Sequence, residues 1–187
     1  APAETFRANV TGTWTLLEAV RAQLPAARVL VVGTSEVYGA IEPGTRAAED
    51  TPFRPVSPYA LSKAAAEQVA RAYAETYALD VVCARPFSHT GPGQTPRFVI
   101  PSFAQQIAAI EAGRSEPVLR VGNLEVTRDI SDVRDIVAGY AALLERGRRG
   151  VAYNLCRGEG ARLRDVVARL AGLARVEVRI EVDPARL

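Results

Sequence analysis

Two short runs, Arg-Val-Leu-Val-Val-Gly at 28–33 and Asp-Val-Val-Cys-Ala-Arg at 80–85, set the tightest limit on what this chain folds into. Neither alternates apolar with polar residues, so neither suits a strand with one face in water. Both suit strands covered on both faces of a parallel sheet. Parallel neighbours need a long crossover, and the residues between the runs supply one. Ser57 is placed to cap a helix, Pro58 fits its first position, and the segment reads as helical to about Ala78. Residues 3–24 read as an amphipathic helix with Val10, Trp14, Leu17, Val20 and Leu24 at helical spacing, ended by Pro25. Further helices are expected from about Pro101 to Ala112, from Ser131 to Arg146 and around Leu163, Val166, Val167 and Leu170. Strands are expected at Val118–Val121, Val151–Cys156 and Val176–Val182. Helices alternating with apolar strands predict a three-layer α/β domain with a mainly parallel sheet.

In such sheets ligands bind beyond the carboxyl ends of the strands. That rule selects Thr34-Ser35-Glu36 after the first run and Phe87-Ser88-His89 after the second. The helix opened by Ser57 adds Tyr59 and Lys63, which share a face because residues at i and i+4 are neighbours. A tyrosine has a pKa of about 10, and a nearby cation and the positive end of a helix dipole both favour the phenolate. The pair is thus a means of making a proton donor for carbonyl chemistry. Composition supports it: the chain has 22 Arg and one Lys, and the one Lys stands here. A planar guanidinium has a different shape and reach from a compact ammonium. A hydroxyl of Thr34 or Ser35 can donate to a substrate oxygen, and Glu36 can act as a base; the alternative is a capped turn after a strand. His89, the only histidine, suits binding better than proton transfer.

With 23 basic and 21 acidic residues spread along the chain and a net charge of +2, neither nucleic acid nor an acidic membrane is expected as a partner. No apolar stretch approaches membrane-spanning length, and Ala1 to Arg7 carry no export signal, so a cytoplasmic location is expected. Cys83 and Cys156 fall in apolar runs, where small core residues are expected. The chain contains no Met and opens on a helix rather than on a strand and Gly-rich turn. Gly91-Pro92-Gly93 and Gly158-Glu159-Gly160 lack G-x-G-x-x-G spacing between a strand and a helix and read as loops. The 187 residues are therefore expected to be the middle of a longer protein.

Five runs together resemble the extended short-chain dehydrogenase/reductases that act on nucleotide sugars. They are Asn9-Val10-Thr11-Gly12-Thr13 with Leu16-Leu17-Glu18-Ala19; Gly33 through Gly39; Ser57-Pro58-Tyr59 to Lys63; Arg85-Pro86-Phe87; and Arg128 through Val133. The loop from Arg85 to Gln94 and the run Val121-Gly122-Asn123-Leu124-Glu125 look most like the branch that reduces GDP-4-keto-6-deoxymannose, whereas Thr-Ser-Glu is shared with GDP-mannose 4,6-dehydratases. The resemblance implies a Rossmann-type doubly wound sheet without its N-terminal Gly-rich portion. Residues 1–96 would be the remaining half of the dinucleotide-binding domain, and 97–187 a substrate-binding part interleaved with the last Rossmann elements. It implies Tyr59 as acid/base, Lys63 on the nicotinamide ribose and lowering the Tyr59 pKa, and Thr34 on the reacting sugar oxygen. Asn9, Pro86 and His89 would contact NADP or NAD; Ser35, Ser88, Gly122, Asn123 and Arg128 would contact the substrate, with the last three at its diphosphate. Ser88 stands where the family has Asn. A homodimer built on the helices at 3–24 and 57–78 is implied, and no metal. The reaction expected is reduction of the 4-keto group of a GDP-4-keto-6-deoxy sugar. The alternatives are a 4,6-dehydratase with Glu36 as C5 base, a 4-epimerase, and a nucleotide-binding module without turnover.

Overall fold

The computed structural model describes residues 1–42 and 44–186, so Pro43, in the connection expected from Thr34 to Val56, lies outside the described residues. The chain forms two compact units, one of residues 1–87 with 134–156, the other of residues 88–133 with the chain from Arg157 on.

In the first unit the predicted helix at 3–24 is three pieces: α1 (Pro2–Phe6), a π-helical stretch Arg7–Thr11, and α2 (Gly12–Gln23). The wider turn has a local cause. The Thr13 hydroxyl takes the Asn9 carbonyl at 2.7 Å, and the Gly12 amide reaches back five residues to the Arg7 carbonyl. The strands β1 (Val29–Val32), β2 (Val81–Pro86) and β6 (Ala152–Leu155) lie in the order β1-β2-β6, all parallel. All six residues of β2 are buried. Val81 and Cys83 pack with Leu17 of α2 and with Ala70, Tyr73 and Ala74 of α3 (Pro58–Thr76). Val82 and Ala84 pack with Leu143 of α5 (Val133–Arg146) and with Tyr140 and Leu155. Helices on both faces of β2 are why its sequence shows no alternation, and each such aliphatic side chain contributes about 1.5–3 kcal/mol by leaving water. This is the Rossmann-type α/β arrangement that the sequence predicts. Burial also pushes the Cys83 thiol up to about 12. Cys156, by contrast, is exposed rather than in the core.

The second unit holds β3 (Ser88–Thr90), β4 (Val118–Val121), β5 (Thr127–Asp132), β7 (Gly160–Arg162), β8 (Arg179–Val182), α4 (Val99–Glu111) and α6 (Leu163–Gly172). One sheet runs β3-β5-β7, with β5 and β7 antiparallel, and a second pairs β4 with β8. Phe103 and Ile107 of α4, Leu119 and Val121 of β4, and Leu163 and Val167 of α6 form its core. Three strands here escape the sequence reading. β5 is Thr-Arg-Asp-Ile-Ser-Asp, too polar to read as a strand, and its presence moves the start of the following helix from Ser131 to Val133. The last strand begins at Arg179 rather than Val176.

Candidate active site

Each residue of the predicted proton-donor set lies in the first unit, on elements with a local reason to hold it. After β1 the chain passes through Gly33 to Thr34, whose Oγ1 accepts from the Glu36 amide at 3.3 Å and caps a 3-10 turn, Ser35–Tyr38. Gly39 closes that turn at φ +71, and a Cβ there would run into the Arg54 carbonyl, so only glycine fits. Ser57 caps α3 as expected, its Oγ accepting from the Ala60 amide at 3.1 Å, with Pro58 in the first turn. Tyr59, partly exposed, thereby stands in the first turn of α3 with its phenol under the influence of Thr34 and Glu36 on that turn. One helical turn on, the half-buried Lys63 donates from Nζ to the Val32 carbonyl at 2.9 Å. Asn9, from the π-helical stretch, donates to Ser62 Oγ at 2.9 Å, and Ser62 in turn donates to the Tyr59 carbonyl at 2.7 Å. Thr34, Glu36, Tyr59, Lys63 and Asn9 are thus brought together, while Ser35 lies on the same turn. Pro86 is buried at the end of β2.

The electrostatics differ from the sequence expectation in one respect. The Tyr59 phenol is raised above its ordinary value, not lowered: burial is the largest cause, the Glu36 carboxylate adds to it, and only Thr34 pulls it down. Lys63 is lowered, by burial, and its ammonium is turned to the Val32 carbonyl. An ammonium has three N–H donors. With one on Val32, the set suits a pair of ribose hydroxyls as well.

Behind this set lies a buried network that the sequence reading missed. Arg85 donates from Nε and Nη2 to both oxygens of Glu67, at 2.9 and 2.5 Å, and from Nη1 to the Tyr38 hydroxyl at 2.6 Å and the Glu49 carbonyl at 2.7 Å. The Tyr38 hydroxyl in turn donates to Asn154 Oδ1 at 2.7 Å. The guanidinium also stacks over Phe53, 4.7 Å from the ring centre. Burial would lower the Arg85 pKa, but Glu67 and Tyr38 hold it above its ordinary value. The missed signal is periodic: Tyr59, Lys63 and Glu67 follow one another at four-residue steps on α3.

The remaining predicted residues belong to the second unit. Ser88, His89 and Arg128 line a cavity of about 280 Å³ with Phe98, Ile130 and Leu163. Alternation along β5 sends Arg128 and Ile130 to this cavity. It sends Asp129 the other way, where its carboxylate accepts from the amides of Arg157 at 2.9 Å and Gly158 at 2.7 Å. Gln94 steadies the loop below His89, accepting from Thr90 Oγ1 at 2.8 Å and donating to the His89 carbonyl at 3.3 Å. Gly122 and Asn123 line a second cavity, of about 570 Å³, with Arg97 and Arg186; Phe98, Val99 and Leu163 are common to both. Among the described residues no group of His, Cys, Asp and Glu gathers as metal ligands, and no helix is long and apolar enough to cross a membrane.

A Rossmann-type α/β fold is the class that the parallel sheet with helices on both faces of β2 defines, and comparison with known proteins makes the assignment specific. The family described as GDP-mannose 4,6 dehydratase matches residues 1–184, and the chain belongs to it. GDP-6-deoxy-D-mannose reductase of Pseudomonas aeruginosa is 40% identical over all 187 residues, which cover 62% of that protein. dTDP-glucose 4,6-dehydratase of Streptomyces griseus is 41% identical over 84% of this chain and 45% of its own length. Among solved structures, RMD from Pseudomonas aeruginosa complexed with NADPH superposes with a TM-score of 0.94 at 38% identity, covering all of this chain and 64% of that one. dTDP-glucose 4,6-dehydratase from Bacillus anthracis in complex with NAD gives 0.82 at 32% identity, covering 95% and 56%. The chain thus spans less than two thirds of the length of these relatives.

Proposed function

We propose that this chain is the catalytic portion of an NAD(P)H-dependent reductase that converts the 4-keto group of a GDP-4-keto-6-deoxy sugar into a hydroxyl, in the making of GDP-deoxyhexoses. The observation that carries the reading is the seating of α3 at the end of β1: Lys63 donates to the Val32 carbonyl at 2.9 Å, two residues before Thr34, and Tyr59 stands one helical turn ahead of Lys63. Residues 1–96 act as the remaining half of the dinucleotide-binding domain and 97–187 as the interleaved substrate-binding part. When bound, the reduced nicotinamide supplies hydride to C4. The chain's own groups do the rest. Tyr59 donates its phenolic proton to the sugar O4, which a neutral phenol held above its usual pKa remains able to do through neutral pH. Thr34 holds the same oxygen in place. Lys63 offers its remaining N–H donors to the ribose, with Asn9, Pro86 and His89 beside the cofactor, NADP or NAD. Ser35 and Ser88 contact the sugar; Gly122, Asn123 and Arg128 hold the diphosphate, for which a guanidinium is suited by its paired donors. The intact Thr34, Tyr59 and Lys63 speak against a module without turnover.

One observation favours a second reading. Glu36 is close enough to raise the Tyr59 pKa, and a carboxylate there can serve as the C5 base of a 4,6-dehydratase. The assay that separates the two uses the full-length enzyme. With GDP-4-keto-6-deoxymannose it should oxidise NADPH or NADH and yield a GDP-6-deoxyhexose, leaving GDP-mannose unchanged. Accumulation of a 4-keto-6-deoxy product from GDP-mannose, with no net use of nicotinamide, would give the site to the dehydratase. A homodimer is part of the proposal: Trp14, Leu16 and Tyr77 are about half exposed on α2 and at the end of α3, as a helical interface requires. A cytoplasmic location is proposed on the same terms.

A further inference from the structure

Thr34 and Tyr59 stand on two separately anchored pieces of chain. Thr34 stands at the head of the turn that ends in Tyr38; Tyr59 stands in the first turn of α3, two turns before Glu67. The Arg85 guanidinium touches both. One edge takes the two Glu67 oxygens, and Nη1 on the opposite side takes the Tyr38 hydroxyl. A planar fork fixes the angle between its bonds, which a flexible ammonium cannot do. Its side chain is 1% exposed and that of Glu67 0%, so water cannot take over either partner. The far side of Tyr38 is held as well, through Asn154, whose amide group donates to the Ala47 carbonyl at 3.1 Å.

We propose that Arg85, acting through Glu67 on the helix and Tyr38 on the turn, is a positioning residue that sets the separation of Thr34 from Tyr59. It touches neither substrate nor cofactor in this role. The inference rests on Tyr59 being the proton donor, and it adds the device that keeps the donor in register with the hydroxyl beside it. Three groups act on the Tyr59 phenol or are coupled to it, Thr34 and Glu36 on the turn and Tyr140 on α5, while Lys63, one turn along the same helix, has its ammonium on the Val32 carbonyl. A substitution at Tyr38 alters none of them chemically, so any change in the titration of Tyr59 reports a change of geometry.

The test is Tyr38→Phe in the full-length enzyme. It removes one hydroxyl and keeps the ring in its cluster with Phe53 and Phe87, at 6.2 and 6.3 Å. With ¹³C-labelled tyrosine the Tyr59 resonance is assigned by its loss in Tyr59→Phe, then followed against pH. The expected result is a Tyr59 midpoint lower than in wild type, because loosening the turn relaxes the burial and the Glu36 carboxylate that raise it, and these outweigh Thr34, which lowers it. It is accompanied by a roughly tenfold fall in kcat at unchanged KM, short of the about hundredfold that a 1 Å misplacement can cost. Glu67→Gln, which keeps the shape and weakens the other arm, should move both quantities the same way. A lowered melting temperature with the Tyr59 midpoint and kcat unmoved in both variants would make the network structural only and overturn the proposal. Full turnover in Tyr59→Phe would instead remove Tyr59 as donor, while the midpoint shift in Tyr38→Phe still decides whether Arg85 sets the geometry.

Discussion

In the first unit the principal ion pair, Arg85 with Glu67, leaves its side chains 1% and 0% exposed. In the second, Arg157–Glu159 and Arg164–Glu125 are about two thirds exposed on both partners. The difference is one of purpose. A buried pair costs desolvation and is weak evidence of net stability, yet removing one partner is expensive, so it holds whatever is attached to it in one arrangement. An exposed pair is worth little and leaves its neighbours free to adjust. The unit with the buried pair carries Thr34, Tyr59 and Lys63, the residues proposed for proton transfer, a step that demands fixed distances. The second unit carries an apolar-lined cavity with Arg128 in its wall, proposed to bind substrate, a role in which affinity matters more than sub-ångström register.

Removing one guanidinium from each unit should have very different costs. Arg85→Met should destabilise the protein by about 3–5 kcal/mol, since it strands a buried carboxylate. Arg164→Ala should cost less than about 1 kcal/mol. Chemical denaturation of the two variants measures both, and equal losses would erase the distinction. A smaller effect is expected at Arg128→Leu. If the second unit binds and the first reacts, KM for the nucleotide sugar should rise by roughly ten- to a hundredfold, the range of a charge-assisted bond worth about 1.5–3 kcal/mol, with kcat little changed. A fall in kcat alone would put Arg128 in the chemistry.

The smallest effect is electrostatic. Glu36 raises the Tyr59 pKa, so Glu36→Gln should lower it toward the ordinary value of about 10 and move the alkaline limb of the rate profile to lower pH. A limb that stays in place would show that Glu36 does not reach the phenol. Stability follows the same sign. The raised Tyr59 value favours the neutral phenol in the fold, a contribution present below pH about 10 and lost as pH rises through the folded value.

Much of this was legible in the sequence because the decisive elements speak locally. Residues 81–84 announce a strand covered on both faces, and Ser57-Pro58 announces the helix that carries Tyr59 and Lys63. What was not legible depends on tertiary contact. β5 is polar along its length and becomes a strand by pairing with β3 and β7, so its sequence carries no apolar period. The direction of the Tyr59 shift follows from how deeply the phenol sits and from Glu36 beside it, neither of which a four-residue spacing encodes. Glu67 reads on paper as one more helix-surface acid; only the register of β2 against α3, which brings Arg85 to it, makes it a buried partner. A buried carboxylate on the stripe already occupied by Tyr59 and Lys63 was nevertheless a signal available in the spacing.

Tyr59 as donor of the proton to the sugar O4 is put to the test by Tyr59→Phe in the full-length enzyme, with turnover and cofactor affinity measured together. Turnover should fall by about 10² to 10⁴, the usual contribution of a general acid, while binding of the reduced nicotinamide stays within a few-fold of wild type, about the margin expected for loss of one hydroxyl. Turnover within a few-fold of wild type at neutral pH would contradict that role for Tyr59.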